Sequence, residues 1–115
     1  MIEVIFEGWP ADGRTQHYLD LSAALRADLE GVDGFISVER FQSLTEPGKL
    51  LSLSFFRDEQ AVRAWRNRPE HRATQKMGRA GVFTDYRLRI AHVVRDYGLT
   101  DRDQAPQDSH AAHEA

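Results

Sequence analysis

The order in which period-two and helical hydrophobic patterns follow one another constrains this chain more than any single residue does. Residues 2–8 alternate Ile2, Val4 and Phe6 with Glu3, Ile5 and Glu7, the pattern of a half-buried strand. The stretch Gly8-Trp9-Pro10-Ala11-Asp12-Gly13 reads as a loop from its glycines and proline. Over 14–30, Tyr18, Leu21, Leu25 and Leu29 recur at helical spacing, and Gly31 ends the helix as a residue that tolerates positive φ. Residues 34–43 and 49–56 alternate again, on either side of the turn residues Glu46-Pro47-Gly48. Asp58 is placed to cap a helix with the apolar stripe Ala61, Val62 and Trp65. Pro69 breaks that helix but suits the first turn of another, over 69–76, stopped by Gly78. A last strand spans 82–96, with Val82, Tyr86, Leu88, Ile90 and Val94 on one face.

The resulting class is α+β: a ferredoxin-like βαββαβ unit with a four-stranded antiparallel sheet over residues 1–98, followed by a disordered polar tail over 99–115. Two helices cover only one face of such a sheet. The uncovered face is expected to hold Phe35, Phe41 and Phe56 beside Ser52, Ser54 and Glu39. A face that apolar calls for a partner, and the simplest is a second copy, so a homodimer through the sheet face is expected.

Composition narrows the function classes. At 115 residues with no cysteine, the chain is one domain without disulfides, thiolate metal sites or a cysteine nucleophile, which fits a cytoplasmic protein. The acidic first strand does not have the basic-then-apolar pattern of a secretory leader, and no apolar run reaches membrane-spanning length, so no membrane is expected. The net charge of −3 is that of the tail, where Asp101, Asp103, Asp108 and Glu114 face only Arg102. The balanced body gives no general attraction to nucleic acid, and the arginines from Arg57 to Arg95 read as solvated helix face and strand rim. Glycine-rich phosphate loops and a nucleophile elbow are both missing.

Three stretches carry a resemblance. They are Gly34-Phe35-Ile36-Ser37-Val38-Glu39-Arg40-Phe41, Leu51-Ser52-Leu53-Ser54-Phe55-Phe56, and Ala64-Trp65-Arg66-Asn67 followed by Pro69-Glu70-His71-Arg72. In this order the chain resembles the antibiotic biosynthesis monooxygenase family. The resemblance implies a dimeric α/β barrel with a hydrophobic cleft between helices and sheet. It also implies either cofactor-free oxygenation of aromatic, phenolic or quinol-like molecules or, in an alternative branch, haem binding and degradation. Trp65 matches the helix tryptophan of both branches. The haem branch also implies an asparagine on the first strand, where this chain has Glu3 and Glu7, and a histidine three turns past the tryptophan, where it has Gln75. The quinone-forming branch implies a Tyr and an Arg, with candidates Tyr86 and Arg40 or Arg87, and matches at Asn67.

From the residues themselves, Trp65 is either core packing or a flat wall for an aromatic ligand. His71 is the candidate base, in the neutral form that a helix start favours, and Asn67 the candidate for orienting substrate or an oxyanion. Arg72 and Gln75 compete with His71 for the inward position. His92, on the apolar face of the last strand, is either a core histidine or a second base. His17 reads as surface. The histidines lack metal-site spacing, so no metal is expected, and His110 and His113 lie in the tail. The expectation is therefore a cofactor-independent monooxygenase with Trp65, Asn67 and His71 at its centre and Tyr86, Arg40 and His92 against the substrate. A module that binds a small aromatic molecule in the same cleft without turnover is the non-enzymatic alternative.

Overall fold

The computed structural model describes residues 1–113. Strands β1 (Ile2–Pro10), β2 (Phe35–Gln42), β3 (Leu50–Phe56) and β4 (Phe83–His92) form one antiparallel sheet in the order β2-β3-β1-β4. Helices α1 (Thr15–Glu30), α2 (Glu59–Arg66) and α3 (Pro69–Met77) lie between them in the chain, giving the ferredoxin-like order. Among the described residues no helix is long and apolar enough to cross a membrane.

The expected local signals act as physical chemistry requires. Asp58 caps α2, its Oδ1 accepting from the Ala61 amide at 2.9 Å. Pro69 opens α3. Gly31 differs: it ends α1 in right-handed geometry at φ −81°. The positive φ falls instead at Gly34 (91°), where a Cβ would lie 2.8 Å from that of Ala61, so only glycine fits between β2 and α2.

Two strand lengths differ from expectation for one reason, the reach of the pairing partner. β1 continues through Gly8-Trp9-Pro10, which was expected to be loop, because β4 supplies partners out to Phe83, with a register shift at Trp9/Pro10 that accommodates the proline. β4 stops at His92 rather than 96 because β1, its neighbour, begins at Ile2 opposite His92.

The sheet faces are also assigned differently. Register aligns Ile2 with Phe56, Val4 with Ser54 and Phe6 with Ser52, so Phe56, Ser54 and Ser52 lie on the helix-covered face. Phe56 is 0% exposed, at the centre of a core with Ile2, Val4, Leu29, Ala61 and Val62. Phe35 joins that core across the irregularity at Phe35/Ser37. The open face takes Ile5, Leu51, Leu53, Phe55 and Phe41. Alternation separates two faces but does not say which the helices cover.

Residues 99–113 carry a turn, closed by the Gly98 amide on the Asp101 carbonyl at 2.8 Å, and the short helix α4 (Gln107–His113). The radius of gyration is 16.8 Å, against roughly 13 Å for a compact domain of this length, and Ala105 of this segment is buried.

Candidate active-site cleft

The register sets out the cleft floor in two transverse rows. One runs Arg40, Ser52, Phe6, Leu88 across β2-β3-β1-β4; the next runs Val38, Ser54, Val4, Ile90. Serines at the centre of each row leave room where larger side chains would fill the space. Leu21, Ser22 and Leu25 of α1 and His71, Thr74 and Gln75 of α3 roof the floor. The cavity holds about 340 Å³ and is mainly apolar. That lies near the lower end of ligand pockets, roughly 300–1,000 Å³. Tyr86, Leu88 and Ile90 remain 40–52% exposed, so the helices leave the β4 side uncovered.

Trp65 and His71 form the centre of the roof. Six residues along an uninterrupted helix would set them about 120° apart in azimuth and roughly 9 Å apart in rise. The break at Asn67-Arg68 folds α3 back, and their ring centroids stand 4.0 Å apart. Phe56 supports the indole from the core at 5.4 Å. The break is held by Arg68, whose Nε donates to both carboxylate oxygens of Asp28 on α1 at 2.8 and 2.9 Å. That guanidinium is the main reason the Asp28 carboxyl lies below the usual carboxylate range.

Burial, and after it the positive charge of Arg72, pushes the His71 pKa down to about 4, against a weaker opposing pull from Asp28. The imidazole is therefore neutral at neutral pH, through burial rather than through its place at a helix start. Its Nδ1 is sealed from solvent and has no hydrogen-bond partner. Arg40 Nε is the other buried side-chain nitrogen in that condition among the described residues.

The structure divides the sequence candidates. Trp65, His71, Tyr86 and Arg40 all line the cleft. Asn67 does not: its Nδ2 donates to the Arg63 carbonyl at 2.9 Å and its Oδ1 accepts from Arg72 at 2.6 Å, so it serves the exit of α2. His92 is exposed, one position beyond the lining residue Ile90 on that face. Arg87 pairs in register with Glu7 on the open face. Gln75 lines the cleft beside His71, whereas Arg72 turns to Asn67 and Gln75. Ser22, Ser52, Ser54 and Arg79 went unread as lining residues. The serines alternating with Leu51 and Leu53 were the available signal. Arg79 donates to the Tyr86 hydroxyl at 3.2 Å and bridges the turn after α3 to β4. Among the described residues no three metal-ligating side chains are gathered together.

Comparison with known proteins agrees with this fold. The model of the antibiotic biosynthesis monooxygenase family matches residues 1–77. A jasmonate monooxygenase of Pyricularia oryzae is 44% identical over 94 residues, which are 82% of this chain. The chain spans 44% of that relative's length. Two solved structures share the fold. Rv0793 of Mycobacterium tuberculosis has a TM-score of 0.75 at 15% identity, covering 84% of this chain and 98% of its own. SnoaB, a cofactor-independent oxygenase of Streptomyces nogalater, has a TM-score of 0.72 at 12% identity, covering 83% and 94%.

Proposed function

Because the chain belongs to the antibiotic biosynthesis monooxygenase family, we propose that it is a cofactor-independent monooxygenase of small, largely apolar molecules with an acidic C–H or O–H. Aromatic, phenolic and quinol-like compounds are the first class. Jasmonate, the compound in the name of the Pyricularia relative, extends it to an alicyclic keto acid. The observation that carries the reading is His71: a neutral imidazole lining an apolar cleft, its ring 4.0 Å from that of Trp65.

Without a metal or flavin the substrate itself must reduce dioxygen. The His71 imidazole takes a proton from the substrate, the serine hydroxyls of the cleft stabilise the anion, and the apolar lining excludes water. For an activated methylene the balance closes without a reductant. The carbon goes from CH₂ to C=O, one oxygen atom of O₂ enters the product, and the other leaves as water. All four electrons come from the substrate.

Two copies packed through the open sheet face complete the reading, since Ile5, Leu51, Leu53, Phe55 and Phe41 otherwise lie on a face without helices.

Oxygen uptake with jasmonate, hydroquinones and anthrone-like phenols tests the activity. Uptake is expected with the wild type and at least about a hundredfold less with His71→Ala, the range removed with a general base. Equal rates in the variant would take His71 out of the chemistry. A haem titration is the control. A saturable Soret shift that His71→Ala abolishes would replace this reading with haem chemistry.

A further inference from the structure

The cleft is electrostatically one-sided. Arg40, Arg66 and Arg79 line it beside His71, and no Asp or Glu does. Asp28 is engaged with Arg68, and Glu7 lies on the open face with Lys49 and Arg89. Arg79 is bonded to the Tyr86 hydroxyl, and Arg66 is exposed. Arg40 stands apart. Its Nε is closed to solvent and lacks a partner, and the residue enters none of the salt bridges among the described residues. Its chain neighbours Glu39 and Phe41 turn to the opposite face, and its cross-strand partner on the cleft floor is Ser52.

A guanidinium stays charged wherever a protein folds, and an unsatisfied buried donor carries a desolvation cost. Such a group is completed by an anion. We propose that the cleft selects small, largely apolar monocarboxylic acids, with the carboxylate on the Arg40 guanidinium beside the Ser52 hydroxyl and the hydrocarbon body along the sheet beneath Trp65 and His71. This rests on the reading of the cleft as the substrate site and names the substrate class.

Three arguments select the carboxylate. A phenol, with a pKa of about 10, is neutral at pH 7, whereas a carboxylic acid near 4 is fully ionised and matches a permanent cation. A phosphate-like dianion would press a second charge against the apolar floor of Val4, Phe6, Leu88 and Ile90, in which Arg40 is the one cation of the two transverse rows. The row from Arg40 to Leu88 crosses three strand spacings, roughly 14 Å, and apart from Ser52 it offers hydrocarbon beyond the anchor.

Binding is measured without oxygen, from quenching of Trp65 fluorescence in Trp9→Phe protein, which leaves one of the chain's two tryptophans. The probes are jasmonate and naphthalene-2-acetate, each against its methyl ester. Each acid is expected to bind about tenfold or more tightly than its ester. Arg40→Met should remove most of that preference and leave ester affinity within about twofold, and Arg40→Lys should keep part of it. Esters that bind as well as the acids, acids that do not bind, or a preference that survives Arg40→Met would each overturn the proposal. Should Arg40→Met fail to fold by circular dichroism, the wild-type acid-to-ester ratio and Arg40→Gln decide. The oxygenase reading fails separately: acid preference without oxygen uptake sinks turnover alone. Uptake with neutral substrates that Arg40→Met does not slow sinks acid selection alone.

Discussion

At the scale of single residues, two features make separable demands. His71 sits neutral in the cleft with its pKa lowered from 6.5 to about 4. The folded state therefore binds the proton less readily than the unfolded chain. The contribution to stability is full above pH 6.5 and is lost as the pH falls from there to about 4. Urea melts of wild type and His71→Gln across that window should show a steeper acid loss in the wild type; parallel curves would mean that the imidazole is not desolvated. In turnover, the acid limb of kcat/KM should likewise fall below the usual histidine range, toward pH 4. Trp65 makes a different demand, for a flat wall fixed by Phe56. Trp65→Phe should preserve most of the packing and weaken aromatic ligands severalfold, measured by calorimetry. Unchanged affinity would make Trp65 pure core. Phe56→Ala, at a site that is 0% exposed, should cost about 3–5 kcal/mol in denaturant unfolding.

At the scale of elements, the break between α2 and α3 shapes the cleft. Its parts were legible: Asp58 and Pro69 marked the helix boundaries, and Trp65 and His71 stood out as candidates. What the sequence did not show was the turn-back that brings the two rings together. It depends on Arg68 reaching Asp28, a contact between residues 40 positions apart. The placement of Asn67 outside the cleft lining was illegible for a related reason. A polar residue after a helix looks the same in sequence whether it faces a cleft or closes its own backbone. The faces of β3 were misassigned because Leu51 and Leu53 are more apolar than Ser52 and Ser54. Hydrophobicity chose the filled face, whereas the helix-covered face had to keep a cleft. Two variants probe the break and the turn before β2. Arg68→Met should lower Tm by several degrees and cut kcat/KM more than it changes KM, because His71 loses its placement. Gly34→Ala should destabilise by about 1–3 kcal/mol, from positive φ and the contact with Ala61. A neutral Gly34→Ala would show that β2 and α2 can separate at little cost.

At the scale of the whole molecule, the sheet divides the work. One face holds the core and the cleft; the other, with Leu51, Leu53 and Phe55 at its centre, is the surface proposed to join two copies. For a chain of 13.1 kDa, sedimentation should give about twice that mass, and Leu53→Asp should return the monomer while the fold persists. A wild-type monomer would remove the dimer from the account. The proposed reaction is defined by where the oxygen and the electrons come from. The measurement that addresses it most directly is mass spectrometry of the product formed under ¹⁸O₂ by chelator-treated protein. One ¹⁸O atom in the product and the other in water, with turnover undiminished by the chelator and lost in His71→Ala, is the expected result. Product that carries oxygen from water, or turnover restored only by added metal, flavin or haem, would contradict it.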